Sequence, residues 1–193
     1  VAEILLLLAT GMPVFDSITI AFGTAGTGGF AILNSGLASY TVLQQGIVTV
    51  FMILFGINFN VYFLLLIRRR PKEALKSEEM RWYLIIIAAA IGLITLNVRG
   101  LFSSWWEAFH HTAFQVASII TTTGFSTSDF NLWPGFSRTI LVLLMFVGAC
   151  AGSTGGGIKV SRIVVAVKAV AKELARFIHP RNVRMLKLEG KKV

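Results

Sequence analysis

Of 193 residues, 55% are hydrophobic and only 14% charged, and the mean hydropathy is +0.74, so the chain has too little polar side chain to cover a soluble globule and reads as a polytopic membrane protein. The net charge of +9 needs no nucleic-acid partner, because the Lys and Arg flank apolar segments beside which anionic membrane lipid balances them, and no motif of a DNA or RNA reader is present. The single Cys150 lies in an apolar run and excludes a disulfide within the chain.

Val1 to Met12 reads as the last turns of a helix whose beginning lies outside the sequence. There is no initiator Met and no cleavable signal pattern, so the chain reads as a fragment. Pro13 and Asp16 predict the start of a short helix ending near Thr24, since Pro suits a first turn and an acid suits the positive helix end. A Thr/Gly turn through Phe30 and a polar bend at Asn34, Ser35 and Gly36 follow. A long helix, expected to be continuous, then occupies Thr41 to Ile67; its 22 uncharged residues from Gly46 to Ile67 suffice to cross a core of roughly 30 Å. Pro71 to Glu79 is polar and reads as linker.

Trp82 to Val98, 17 residues without a charge, is the next span. Ser104 with Glu107 three residues later is a capping-box pattern that opens a second short helix, which ends near Ile120. A second Thr/Gly turn runs from Thr121 to Ser126, followed by Asp129 to Pro134. Aligning Gly29-Phe30 on Gly124-Phe125 sets Tyr40 close to Trp133, at matching interfacial positions. Arg138 to Ala149 is too short to cross alone. It runs into Gly148 to Gly157, where five glycines in ten residues will not hold a helix at roughly 1 kcal/mol each against Ala. An apolar helix resumes at Ile158 and continues to about Ile178, so this span is broken near mid-membrane, as in transporters and channels that handle ions there.

Two basic regions set the orientation. Arg68 to Arg81 holds six Lys or Arg against three acids, and Lys159 to the end holds ten against Glu173 and Glu189; the remaining two, Arg99 and Arg138, lie among Glu107 and Asp129. Both basic regions are expected to be cytoplasmic, with both Thr/Gly turns opening outward. The expected organisation is a first repeat over 1–70, a cytoplasmic linker over 71–81, a second repeat over 82–178 and a cytoplasmic tail over 179–193.

A short helix, a Thr/Gly turn and a long apolar segment, occurring twice, suits a cation pore. Gly permits the close approaches and φ/ψ values that let carbonyls face an ion, and Thr adds a hydroxyl without charge. The expected filter residues are Thr27, Gly28, Gly29 and Phe30 in the first turn and Thr122, Thr123, Gly124 and Phe125 in the second. The alternative is that these small residues only pack helices closely. Gly152 to Lys159 superficially matches a phosphate-binding loop, but Ile158 separates Gly157 from Lys159, Val160 follows, and no strand precedes it, so a nucleotide site is rejected. Lys159 near membrane depth needs a partner or a route to water. His110 and His111 are expected to face or cap the outer vestibule, with no third ligand to make a metal site. Asn58 and Asn60 are expected to hydrogen-bond neighbouring helices from mid-span. A competing reading, an intramembrane serine hydrolase using Ser153 with His110 or His111, fails on depth: the histidines lie at the outer boundary and Ser153 toward the inner half.

Pro13 to Asp16, Thr27-Gly-Gly-Phe30, Ile57-Asn-Phe59, Ser118 to Phe125, Trp133-Pro134 and Gly148 to Lys159 together resemble the Trk/Ktr/HKT superfamily of cation transporters, closest to the bacterial Trk membrane subunit. The resemblance covers nearly the whole chain. It implies an all-α polytopic membrane protein of helix–pore-helix–helix repeats with re-entrant selectivity-filter loops and one broken transmembrane helix, of which this chain is similar to the second and third of four. It further implies potassium uptake through backbone carbonyls, with a sodium-permeable member as the alternative. No catalytic residue and no cofactor are implied, and K+ is the transported ion. A gating loop is implied at Cys150, Ala151, Gly152, Ser153, Thr154, Gly155, Gly156, Gly157 and Lys159. The implied setting is the bacterial inner membrane, as a homodimer on a cytoplasmic ring of nucleotide-binding regulatory subunits.

Overall fold

The computed structural model describes residues 1–178 together with Lys187–Leu188 and Lys191–Lys192. Apart from the two-residue antiparallel pair formed by those last segments, the described elements are helical. The rest of the tail expected over 179–193 lies outside the described residues.

The first repeat contains α1 (Ala2–Ala9), α2 (Val14–Ala25), α3 (Val42–Phe55) and α4 (Phe59–Tyr62), the last passing into a π-helical turn at Phe63–Ile67. The segment expected to be plain linker carries a short helix, α5 (Pro71–Leu75), and already contains the start of α6 (Glu78–Val98). There Ser77 caps the helix, its hydroxyl accepting the Met80 N–H at 3.4 Å. The second repeat continues with α7 (Trp105–Ile120), α8 (Gly135–Phe146) and α9 (Val160–Ile178). By length and composition, the stretch from Glu78 to Leu101 is able to cross a membrane, whereas α2, at 12 residues, and α8, at 12, are too short.

Local chemistry explains the helix starts. The Ser104 hydroxyl accepts the Glu107 N–H at 3.1 Å, but the Glu107 carboxylate reaches Ser103 N–H rather than closing the predicted box on Ser104. A complete capping box occurs instead at Thr41 and Gln44, where α3 begins. Tyr40, just before it, donates its hydroxyl to Asp16 at 2.8 Å, and burial together with that carboxylate pushes its phenol up to about 12.

Contrary to the expectation of a continuous helix over Thr41 to Ile67, the chain breaks between Phe55 and Phe59 and turns by 95°. The long segment of the first repeat is therefore broken as well. The cause is tertiary. A Cβ on Gly56 would stand 2.1 Å from the Tyr83 hydroxyl and 3.0 Å from the Thr121 methyl, so α3 approaches α6 and the second turn as only glycine allows. Asn58 then caps α4, its side-chain oxygen accepting the Asn60 N–H at 2.9 Å, so it is a cap at a break rather than a mid-helix residue. In full-length protein, Gly56→Ala is expected to cost roughly 1–3 kcal/mol, as overpacking does. The measurement is a lowered unfolding temperature in detergent, partly restored by Tyr83→Phe, which removes the nearest atom.

Two apolar cores hold the repeats together. One joins Leu7, Ile20, Val48 and Met52 to Phe114 and Phe125, and the other runs along α6 from Met80 to Val98 against α7, α8 and α9. Helix α7 packs on α3 as well as on α6 and α8, so it is the joint between repeats. His110 seals that joint: buried at 9% exposure, its Nε2–H donates to the Gln45 side-chain oxygen at 2.7 Å, while the Gln45 amide donates to the Leu37 and Tyr40 carbonyls. His111 contacts the Thr127 hydroxyl at 2.9 Å and stacks on Phe102. The histidines thus pack between elements, His110 buried and His111 half-buried. Trp133, expected at an interface, is 4% exposed with its ring against the edge of Phe102.

Candidate functional site

Helices α2 and α7 each end on a Thr/Gly turn, and the two turns are built alike. In the first, the N–H groups of Gly26, Thr27, Gly28 and Gly29 donate to Phe22, Thr24, Gly23 and Gly23 at 2.8, 3.2, 2.8 and 3.4 Å. In the second, those of Thr121, Thr122, Thr123 and Gly124 donate to Ala117, Ile119, Ser118 and Ser118 at 3.2, 3.0, 2.9 and 3.4 Å. Each residue of the second set is the counterpart, in number, of one in the first at a constant offset. The backbone agrees: Thr27 has φ 50° and Thr122 φ 59°, Gly29 φ 66° and Gly124 φ 89°. Two β-branched residues in the left-handed region at equivalent places are uncommon and mark a shared, imposed geometry. Each Thr hydroxyl also donates to the carbonyl before it, at 2.8 Å for Thr27 and 2.6 Å for Thr122.

The turns lie side by side. A Cβ on Gly29 would stand 2.0 Å from the Thr123 carbonyl oxygen. Farther along, the Leu37 N–H donates to Ser126 O at 3.0 Å. Phe125 is 2% exposed and packs against Gly23, where a Cβ would meet its ring at 3.0 Å, and the Ser118 hydroxyl donates to its carbonyl at 2.6 Å. Phe30, its counterpart, is 78% exposed.

The glycine-rich segment between α8 and α9 is an excursion closed at its neck. Gly148 N–H donates to Ile158 O at 2.8 Å and Ile158 N–H to Phe146 O at 3.1 Å, forming a parallel bridge at Val147 and Ile158. A Cβ on Gly148 would lie 2.0 Å from Gly156 O, so the two limbs touch through backbone alone. Its tip reaches both turns: the Thr27 hydroxyl approaches Thr154 O at 3.2 Å, and Gly156 N–H donates to the Thr122 hydroxyl at 2.7 Å. Its other side docks on the break in the first repeat, with Cys150 N–H donating to Gly56 O at 3.0 Å and Phe59 N–H to Gly152 O at 3.1 Å. Lys159 folds back and donates to Gly155 O. Ser153 donates to Cys150 O at 2.6 Å.

The two Thr/Gly turns and the glycine-rich loop therefore meet, Gly29 lying against Thr123 and Thr27 and Thr122 touching the loop directly, while Phe30 stays exposed and the histidines lie elsewhere. Sequence reasoning missed Glu79, assigned there to the linker. It is 5% exposed; its Oε1 accepts the N–H groups of Ala151 at 2.6 Å and Ser161 at 3.2 Å, and its Oε2 accepts from the Asn58 amide at 3.5 Å. The available signal was an acid at the start of an apolar span, where burial demands partners.

Comparison with known proteins decides the family. The family model described as "TrkH: Cation transport protein" matches residues 8–193. The chain belongs to the TrkH cation transport family. It is 34% identical over 191 residues to the Trk system potassium uptake protein TrkH of Salmonella typhimurium, covering 97% of this chain and 40% of that protein. It is 29% identical over 184 residues to TrkG of Escherichia coli K12, covering 94% and 38%. The crystal structure of the potassium transporter TrkH from Vibrio parahaemolyticus matches with a TM-score of 0.94 at 33% identity, over 100% of this chain and 42% of that one. The chain thus spans about 40% of the length of the relatives it matches. TrkH-family proteins are transporters rather than enzymes, which sets the serine hydrolase reading aside.

Proposed function

We propose that the protein to which this chain belongs takes up potassium across the bacterial inner membrane, and that this chain supplies two of the filter turns and the gate beneath them. The observation that carries the reading is the pair of identically bonded turns held edge to edge, Gly29 against Thr123. The main-chain carbonyls of Thr27, Gly28, Gly29 and Phe30 and of Thr122, Thr123, Gly124 and Phe125 replace the hydration shell of K+. The carboxyl ends of α2 and α7, whose last residues are Ala25 and Ile120, stop just short of these turns and add partial negative charge without a titratable group. Two further turns from the rest of the protein complete the ring.

The loop from Cys150 to Lys159 acts as the gate. Its bonds to Thr27 and Thr122 support this, because they tie the permeation path to a segment that helix propensity alone would not hold. The basic segments around Arg68–Arg70 and along α9 face the cytoplasm, where lipid headgroups and the ring of nucleotide-binding regulatory subunits meet them; the working unit is a homodimer. The test is expression of the complete gene in cells unable to grow at low potassium. Growth should be restored together with rubidium uptake that excess sodium does not inhibit. Uptake carried equally by sodium would replace the potassium reading with the sodium-permeable one, and no uptake of either ion would overturn both.

A further inference from the structure

We propose that Glu79 is the clasp of the glycine-rich loop: one carboxylate, at the start of α6, fastens both ends of the loop and the break in the first repeat, and its release lets the loop move. This rests on the reading of that loop as a gate.

The geometry converges from three separate parts of the chain. Ala151 stands where the loop begins and Ser161 where α9 resumes after it, and their N–H groups meet on a single oxygen, Glu79 Oε1, at 2.6 and 3.2 Å. The other oxygen faces the amide of Asn58, the residue that caps α4 after the 95° turn. Neither N–H has a helical carbonyl to accept it, since Ala151 lies in the loop and Ser161 in the first turn of α9. A carboxylate is suited to such a place, because bonds to an ionised acceptor are stronger than neutral ones, and a buried N–H left without a partner is costly. Glu79 is therefore the site where loop, kink and α6 are made into one unit.

The same end of α6 is anchored a second time. Glu78, the preceding residue, pairs with Lys168 of α9 at 2.5 Å. Glu78 and Glu79 stand three and four residues beyond α5, in the basic segment read as cytoplasmic. A displacement of that segment draws on Glu78 and Glu79 together, so it is transmitted to the loop through the main chain of Ala151 and Ser161. Glu79 is a positioning residue in this scheme and touches no ion.

The test uses the full-length protein with Cys150 as its only cysteine, since Cys150 is buried and immediately precedes Ala151. Its rate of modification by a methanethiosulfonate applied from the cytoplasmic side reports whether the loop has lifted. Glu79→Ala is expected to accelerate labelling at least about tenfold and to raise rubidium flux, the size expected for loss of two or three bonds to a charged acceptor. Should Glu79→Ala fail to fold, Asn58→Asp carries the test: it keeps the oxygen that caps Asn60 but sets a carboxylate against Glu79. Labelling should accelerate in Asn58→Asp and slow again when Glu79→Gln is added, because the Gln amide then donates to Asp. A role in packing alone predicts no such reversal. Unchanged labelling in Glu79→Ala, or additive acceleration in the double variant, overturns the clasp. The gate itself is checked separately by deleting Gly155–Gly157: if that deletion leaves flux unchanged the gate reading fails, whereas raised flux with unchanged labelling in Glu79→Ala defeats the clasp alone.

Discussion

Gly29→Ala in the full-length transporter should cut selective rubidium uptake about a hundredfold, whereas Gly124→Ser should leave more uptake, with reduced discrimination against sodium. The two positions are equivalent in the repeat and differ in surroundings. At Gly29 a methyl group would lie 2.0 Å from the Thr123 carbonyl oxygen, on a backbone with φ 66°, so both turns must move to admit it. At Gly124 the backbone is equally left-handed, φ 89°, but nothing lies within 4 Å of an added Cβ. That substitution meets conformational strain of about 1–2 kcal/mol and no collision. A loss of about a hundredfold at Gly29 against about tenfold at Gly124 is the expected order, each 1.4 kcal/mol being a factor of ten. Equal effects at the two positions, measured as initial rubidium uptake with and without competing sodium, would deny that the turns are held edge to edge.

Deleting Gly155–Gly157 should raise potassium flux and make it insensitive to the regulatory state of the cell. The deletion removes Gly156, whose N–H donates to Thr122, and displaces Thr154, whose carbonyl meets the Thr27 hydroxyl. The Gly156 bond alone, at about 0.5–1.5 kcal/mol, amounts to roughly a two- to tenfold shift between held and released loop, to which the weaker Thr27 contact adds. Flux recorded from reconstituted protein that stays at the parent level would remove the loop from the permeation path.

The parts legible in the sequence are those set by local chemistry. Pro13 and Ser104 announce the short helices, and the recurrence of Thr-x-Gly-Phe at the end of each marks the turns before any coordinates are seen. The broken helix of the second repeat is legible because its glycines are many. The break at Gly56 is not, because one Gly and two Asn within an apolar run leave the helical pattern intact; what unwinds the chain is the hydroxyl of Tyr83 and the main chain of Cys150 and Gly152 arriving from the other repeat. Glu79 hides for a related reason. Among Lys76, Ser77 and Glu78 it reads as solvated linker, and its burial follows only from the approach of a loop far along the chain. His110 and Trp133 share that fate, each being polar or amphipathic in sequence, His110 enclosed once α3 and α7 meet and Trp133 in the core along α6, against Phe102.

The ring of Phe125, seated on Gly23 of the preceding repeat, fixes a direction of assembly. A contact of this kind joins unlike surfaces, a projecting ring on one repeat and a shallow seat on the other, so the two repeats meet in one order only. Phe30, the counterpart in the first turn, has no such seat among the described residues and is 78% exposed. The order in which the two repeats adjoin is thus set by a single aromatic side chain.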